Sequence, residues 1–193
     1  HFESRKIWVN ALIVSQTDKD YNHYAAKNSL SKWLIDNKIP GLYDVDTRKL
    51  TQELRNSGSL KGRIVFQNEY IIEEDEENRE NEENLNLVEK VSCKEKITYG
   101  NSLNHLGLVD CGVKYNIIRH LIHQGFKVTL LPYDYDFNKD DYDGIFLSNG
   151  PGDPTNCPKT IDNIKKYINS DNIKPLFGIC LGNQLLALAS NAK

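Results

Sequence analysis

The chain has 193 residues, 39% of them hydrophobic, and a formal net charge of −3. That suffices for one full domain or two small ones, and no apolar run approaches the roughly 18 residues of a membrane span. The charge distribution excludes a nucleic-acid binder: ten acidic and two basic residues from Glu69 to Lys90 leave a surplus of +5 elsewhere, spread without an aromatic-interleaved basic cluster.

Ile7 to Val14 is rich in β-branched and aromatic residues and is predicted to form a strand. Leu30, Trp33 and Leu34 recur at i, i+3 and i+4 after Ser29, which predicts a helix stopping near Asn37. Pro40-Gly41 is a turn. Asp46 is placed to cap a second helix from Thr47 to about Asn56, with Leu50 and Leu54 on one face and Gly58 at the exit. Ile64 to Phe66 reads as a closing strand. Residues 1–68 thus make a small α+β domain, in which Asp46, Arg48, Glu53 and Arg55 read as a cap and a solvated helix face.

The acidic tract follows. From Glu73 to Asn84 no apolar residue occurs and only Arg79 opposes the acids, so the tract cannot bury enough surface to offset chain entropy. Residues 69–96 are therefore expected to be a disordered insertion, of which the span from Glu73 to Asn84 can be deleted without loss of folding.

Beyond it, strands alternate with helices. His105 to Asp110, Val128 to Leu131, Asp143 to Leu147 and Leu176 to Ile179 are apolar strand candidates. Helices are expected from Tyr115 to about Gln124 and from Pro158 to about Ser170. This alternation predicts an α/β fold over residues 97–193, a doubly wound, mainly parallel sheet covered on both faces. Ligands on such sheets bind at the carboxyl ends of the strands, where Cys111-Gly112, Gly150-Pro151-Gly152 and Cys180 all fall.

Gly178-Ile179-Cys180-Leu181-Gly182, followed by Leu185, Leu186 and Leu188, reads as a nucleophile elbow between a buried strand and a buried helix. The glycines two before and two after the nucleophile permit the strained turn, and a thiolate there faces unpaired N–H groups and the positive end of the helix dipole. In Gly150-Pro151-Gly152-Asp153-Pro154, two glycines let the backbone approach a ligand closely and the prolines stiffen the loop. The other cysteines, Cys93, Cys111 and Cys157, are widely spaced with no C-x-x-C, which argues against a metal site or a disulfide framework and fits a reducing, cytoplasmic compartment.

Ser148-Asn149-Gly150-Pro151-Gly152-Asp153-Pro154 together with Phe177 to Ala189 resembles the class I (triad) glutamine amidotransferase domain of carbamoyl-phosphate synthase. Asp46-Thr47-Arg48-Lys49-Leu50-Thr51, Leu54-Arg55 and Gly58 to Gly62 resemble the amino-terminal domain of that enzyme's small subunit. The resemblance implies hydrolysis of L-glutamine to glutamate and ammonia, with ammonia passed to a synthetase that is either a separate large subunit or a fused domain. By position it makes Cys180 the nucleophile, the Leu181 and Gly150 amides the oxyanion donors, and Gly150, Gly152 and Gln184 the substrate contacts. It implies no cofactor or metal in this chain, ATP and Mg on the synthetase, and service of pyrimidine or arginine synthesis.

Two departures accompany it. Asn183 stands where the family commonly has His. The family's triad His and Glu lie downstream of the elbow and its glutamine-binding Ser upstream, so the chain, which opens on His1 and ends at Lys193, is expected to be a truncated fragment, inactive alone. His105, His120 and His123 are expected at the wrong edge of the sheet to replace the base. The alternatives are a catalytically dead scaffold or regulatory domain, the amidotransferase of another pathway, and a Cys-elbow hydrolase unrelated to glutamine.

Overall fold

The computed structural model describes residues 2–17, 21, 23–58, 60, 62–65 and 86–192. The chain divides into two compact units, Lys6–Glu74 and the combination of His1–Arg5 with Asp75–Lys193.

Unit Lys6–Glu74 holds β1 (Leu12–Ile13), α1 (Leu30–Asp36), β2 (Gly41–Leu42) and α2 (Thr47–Ser57). Both helices start where the sequence places them, α2 on the residue expected to cap it. Ser29 accepts from the Lys32 N–H and Asp46 from the Lys49 N–H, while Asn37 and Gly58 end the two helices. β1 and β2 pair in parallel, Leu12 beside Gly41 and Ile13 beside Leu42. The strand expected from Ile7 to Val14 is therefore only two residues long, because strand composition forms no ladder without a neighbour to pair with. Ile64 and Val65 form no strand, and Phe66 lies outside the described residues, as does the tract from Glu73 to Asn84. None of the described residues of this unit is fully buried.

The larger unit carries α3 (Leu87–Val91), β3 (Ile97–Tyr99), β4 (His105–Asp110), α4 (Tyr115–His123), β5 (Lys127–Pro132), β6 (Gly144–Leu147), α5 (Pro158–Ile168), β7 (Leu176–Gly178) and α6 (Leu181–Ala189). Its sheet runs β3-β5-β4-β6-β7, with every neighbouring pair parallel except β3, which is antiparallel to β5. This is the expected α/β architecture with one unforeseen strand: Ile97-Thr98-Tyr99 is too short to signal itself by pattern. Alternation along the strands sends Leu108, Val128 and Leu130 into one apolar layer with Ile118 of α4. Val109, Leu131 and Leu147 join Ile164 of α5 and Leu181 and Leu185 of α6 in the other.

Two features differ from the sequence reading. Residues 86–96, expected within the disordered insertion, contain α3, whose Val88 is buried; Leu87, Val88 and Val91 supply the apolar surface that the acidic tract lacks. β7 is expected to be buried, yet Phe177 is 58% exposed, since among the described residues β7 is the edge strand beside β6; the Phe177 ring packs against Phe146 at a ring separation of 5.2 Å.

Phe2–Arg5 belong to the larger unit. Lys114 provides no side-chain cap to α4, and Glu3 supplies one instead. Its carbonyl accepts from the Tyr115 N–H at 3.0 Å and its carboxylate from the Asn116 N–H at 2.8 Å, while Arg119 bonds both Glu3 and the Phe2 carbonyl. The Asn116 N–H, then Arg119, hold the Glu3 carboxyl below its ordinary range.

At the amino edge of the sheet, His105 Nε2 lies 2.7 Å from Thr129 Oγ1 and the ring sits edge-on to Tyr142. Burial, then nearby Lys127, lower its pKa from 6.5, against the opposing pull of Asp143 and Asp140. A histidine held neutral in the fold binds fewer protons than in the unfolded chain, so its contribution is full above pH 6.5 and declines as pH falls through that value toward the lower folded value. Amide exchange in β4 and β5 should quicken as pH falls below 6.5, after correction for intrinsic rates, and His105→Gln should flatten that dependence.

Candidate active site

Parallel pairing sets Val109 of β4 beside Leu147 of β6, and Leu147 beside Gly178 of β7. The turns after these three strands consequently leave the sheet side by side at its carboxyl edge. From β4 the chain moves outward to β5, then crosses back to β6 on the other side, so the β4 and β6 turns diverge at the topological switch point.

Cys180 stands two residues beyond the end of β7, at the N-cap position of α6, where its side chain makes no capping bond. Its φ of 53° and ψ of −112° lie where a non-glycine residue is strained, as a nucleophile elbow requires. The turn is pinned on both sides: the Ile179 N–H donates to the Leu147 carbonyl, the Gly182 N–H to the Ser148 and Ile179 carbonyls, and the Gln184 N–H to the Cys180 carbonyl. Both glycines are required by space. A Cβ on Gly178 would meet the Gly182 carbonyl carbon at 2.6 Å, and one on Gly182 the Leu147 carbonyl oxygen at 2.3 Å. Gln184, four residues on, lies on the same side of α6 as Cys180 and is exposed, as is Asn183.

The second turn packs against the elbow. A Cβ on Gly150 would stand 2.2 Å from the Cys111 carbonyl oxygen and 2.6 Å from Leu181 Cδ2, so Gly150 fits only as glycine between the first and third turns. Gly152 has a φ of 81° and faces Leu87 of α3. Among the described residues, neither the Gly150 nor the Leu181 N–H donates a hydrogen bond.

Cys180 is the one exposed cysteine among four free ones. Burial pushes the Cys93 thiol up to about 12 and the Cys157 thiol up to about 11, and raises Cys111 as well, so these three remain un-ionised core side chains. Among the described residues no group of three His, Cys, Asp or Glu is placed to hold a metal. His105 opens β4, at the opposite edge of the sheet, and His120 and His123 sit in the last turn of α4, away from the strand ends. The larger unit thus brings together Cys180, Leu181, Gly150 and Gly152, with none of its described histidines beside them.

The sequence reading missed three supports. Asp110 is buried, and its carboxylate accepts from the N–H groups of Cys93, Gly112 and Val113 at 2.8 to 3.0 Å. Ser148, fully buried, takes part in four hydrogen bonds, with Cys111, Asn149, Val109 and Gly182, and Asn149 reaches across to the Gly112 carbonyl with its amide at 3.0 Å. α3 backs both glycine turns. The apolar cluster of Leu87, Val88 and Val91 signalled α3, but no periodicity reveals which polar residues at a strand end are buried.

Three stability outcomes follow from the backbone geometry. Gly182→Ala should cost about 3 kcal/mol or more, the top of the usual overpacking range, because the clash is with backbone. Gly62→Ala, at a position with open space and no positive φ, should be near neutral in the same denaturant titration followed by far-UV circular dichroism. Cys180→Gly should stabilise the fold by about 1 kcal/mol, since relief of about 1–3 kcal/mol of backbone strain exceeds the entropic cost of a glycine.

Residues 107–193 match the family model for glutamine amidotransferase class-I, and residues 1–64 match that for the carbamoyl-phosphate synthase small chain, CPSase domain. The whole chain aligns with multifunctional protein CAD of Squalus acanthias at 44% identity, covering 8% of that protein. It aligns over its whole length with the carbamoyl phosphate synthase arginine-specific small chain of Candida albicans at 42% identity, covering 46%, and with carbamoyl-phosphate synthase [ammonia], mitochondrial, of Homo sapiens at 40%, covering 12%. The chain therefore spans less than half the length of these relatives. Residues 1–64 belong to the carbamoyl-phosphate synthase small-chain family, and residues 107–193, with the elbow and both glycine turns, to the class-I glutamine amidotransferase family.

Proposed function

We propose that this chain is the glutaminase part of a carbamoyl-phosphate synthase, with Cys180 as its nucleophile. The observation that carries the reading is the exposed thiol of Cys180 in a left-handed elbow, beside a glycine turn that tolerates no side chain. Cys180 Sγ attacks the side-chain amide carbon of L-glutamine. The oxyanion that forms is met by the N–H groups of Leu181 and Gly150, and Gly150, Gly152 and Gln184 line the substrate. As the C–N bond breaks, a general acid protonates the leaving ammonia, and water then hydrolyses the thioester to glutamate and free thiol. His105, His120 and His123 lie away from the elbow, which supports giving the acid–base role to the His and Glu of the family pattern downstream of it.

Ammonia passes to a synthetase, separate or fused, which holds the ATP and Mg; the family resemblance supports this division of labour. Four unpaired cysteines support a reducing, cytoplasmic setting. Among the described residues, no helix is long and apolar enough to cross a membrane.

One finding favours a second reading, a domain of this family that does not hydrolyse glutamine: the human relative is named for ammonia. The two readings part in one assay on the full-length protein with its synthetase. Cys180→Ser should abolish glutamine-dependent carbamoyl phosphate synthesis and leave ammonia-dependent synthesis within about twofold. Absence of glutamine-dependent synthesis in the unmodified protein would favour the second reading, and equal loss of both activities would make Cys180 structural.

A further inference from the structure

The glycine turn offers a donor to the site only if its first peptide points the right way, and glycine allows that peptide to turn either way at little steric cost. What holds it is Ser148. Its side chain is fully buried, and its hydroxyl is used in both senses: it accepts from the Cys111 N–H at 2.9 Å and donates to the Asn149 carbonyl at 2.8 Å. With Cys111 N–H supplying the proton to Ser148 Oγ, the hydroxyl hydrogen is committed to Asn149. The peptide joining Asn149 to Gly150 is trans, as are all those described. In a trans peptide the N–H points opposite to the C=O. Holding the Asn149 carbonyl toward buried Ser148 therefore turns the Gly150 N–H away from the core, where it meets no acceptor among the described residues.

The same residue reaches the elbow through its backbone. The Ser148 carbonyl accepts from the Gly182 N–H at 3.1 Å, in the first turn of α6, and the Ser148 N–H donates to the Val109 carbonyl at 3.1 Å. One buried serine thus ties together the ends of β4 and β6, the glycine turn and the turn that carries Cys180. The Asn149 side chain adds a second brace, since its amide donates to the Gly112 carbonyl.

We propose that Ser148 is a positioning residue for the reaction: its hydroxyl locks the peptide between Asn149 and Gly150 so that the Gly150 N–H is presented to the developing oxyanion. The proposal rests on the glutaminase reading above. Ser148 touches no reacting atom, so its loss should act on the transition state and leave ground-state binding of glutamine nearly unchanged.

The test compares Ser148→Ala, the near-isosteric Ser148→Cys and Ser148→Thr in the full-length protein with its synthetase. Loss of one oxyanion donor lowers kcat by about 10²- to 10³-fold, so Ser148→Ala should show a fall of about that size in glutamine hydrolysis, with KM within about threefold. Ser148→Cys, a weaker donor, should fall less, and Ser148→Thr, which keeps the hydroxyl, should recover most of the loss. Ammonia-dependent synthesis and alkylation of Cys180 by iodoacetamide should be unchanged in all three. Crystals of Ser148→Ala should have the Asn149 carbonyl turned out of its present direction, a readout that does not depend on glutaminase activity. A peptide that stays in place, or a kcat within about threefold of the parent in Ser148→Ala, would overturn the role of Ser148. Loss of ammonia-dependent synthesis in both Ala and Cys variants would make it a folding residue and overturn it too. Glutaminase activity that survives Cys180→Ser would instead strike the underlying reading, and the peptide orientation would still decide whether Ser148 is the lock.

Discussion

Helix α6 begins against the end of strand β6 with no space for a side chain at Gly182, whose added Cβ would stand 2.3 Å from the Leu147 carbonyl oxygen. This close approach drives the chain between β7 and α6 through a left-handed residue, and that residue is Cys180. It also brings Leu181 against Gly150, which must itself be glycine because Cys111 crowds it from the other side. Packing density in the core below, where Leu181 and Leu185 lie among Val109, Leu147 and Ile164, leaves the helix no freedom to retreat and relieve the strain.

Strain at a nucleophile persists only where the surroundings over-determine it, and here they do so with backbone hydrogen bonds. Leu147 and Ser148 carbonyls fix the elbow from the side of β6, while Asp110 gathers three N–H groups to fix the turn after β4. A buried carboxylate with three N–H partners costs little beyond what the bonds return, because its charge is met by oriented donors. The result is a carboxyl edge in which three turns are mutually braced before any ligand arrives, the form of preorganisation that electrostatic stabilisation of an oxyanion depends on.

Relatives that align with the whole chain include proteins named for arginine-specific synthesis, for ammonia and for a multifunctional assembly. In this chain the matching stretch builds a sheet edge on which a glycine turn packs against a strained cysteine elbow. The strained cysteine and the braced turns all belong to the larger unit.

Much of this was legible without coordinates. Ser29 and Asp46 announce their helices because an N-cap is a local device, read from four consecutive residues. The order of strands and helices in the larger unit, and the elbow itself, follow from apolar runs and glycine spacing in the same way. The strand at Ile7 to Val14 shrank to two residues because a strand needs a neighbour, and composition does not supply one. α3 emerged from what looked like the tail of an insertion because Val88, Leu87 and Val91 find a surface beside the glycine turns that only the folded sheet creates. Glu3 caps a helix more than a hundred residues away, and Asp110 and Ser148 bond backbone groups on other turns; such roles depend on distances through space that no spacing along the chain encodes. The sequence by itself thus determined the main elements, the cysteine elbow and the glycine turn, whose signals are local. Only the tertiary structure decided how the turns are braced against one another, because parallel strands bring together residues that are remote in the chain.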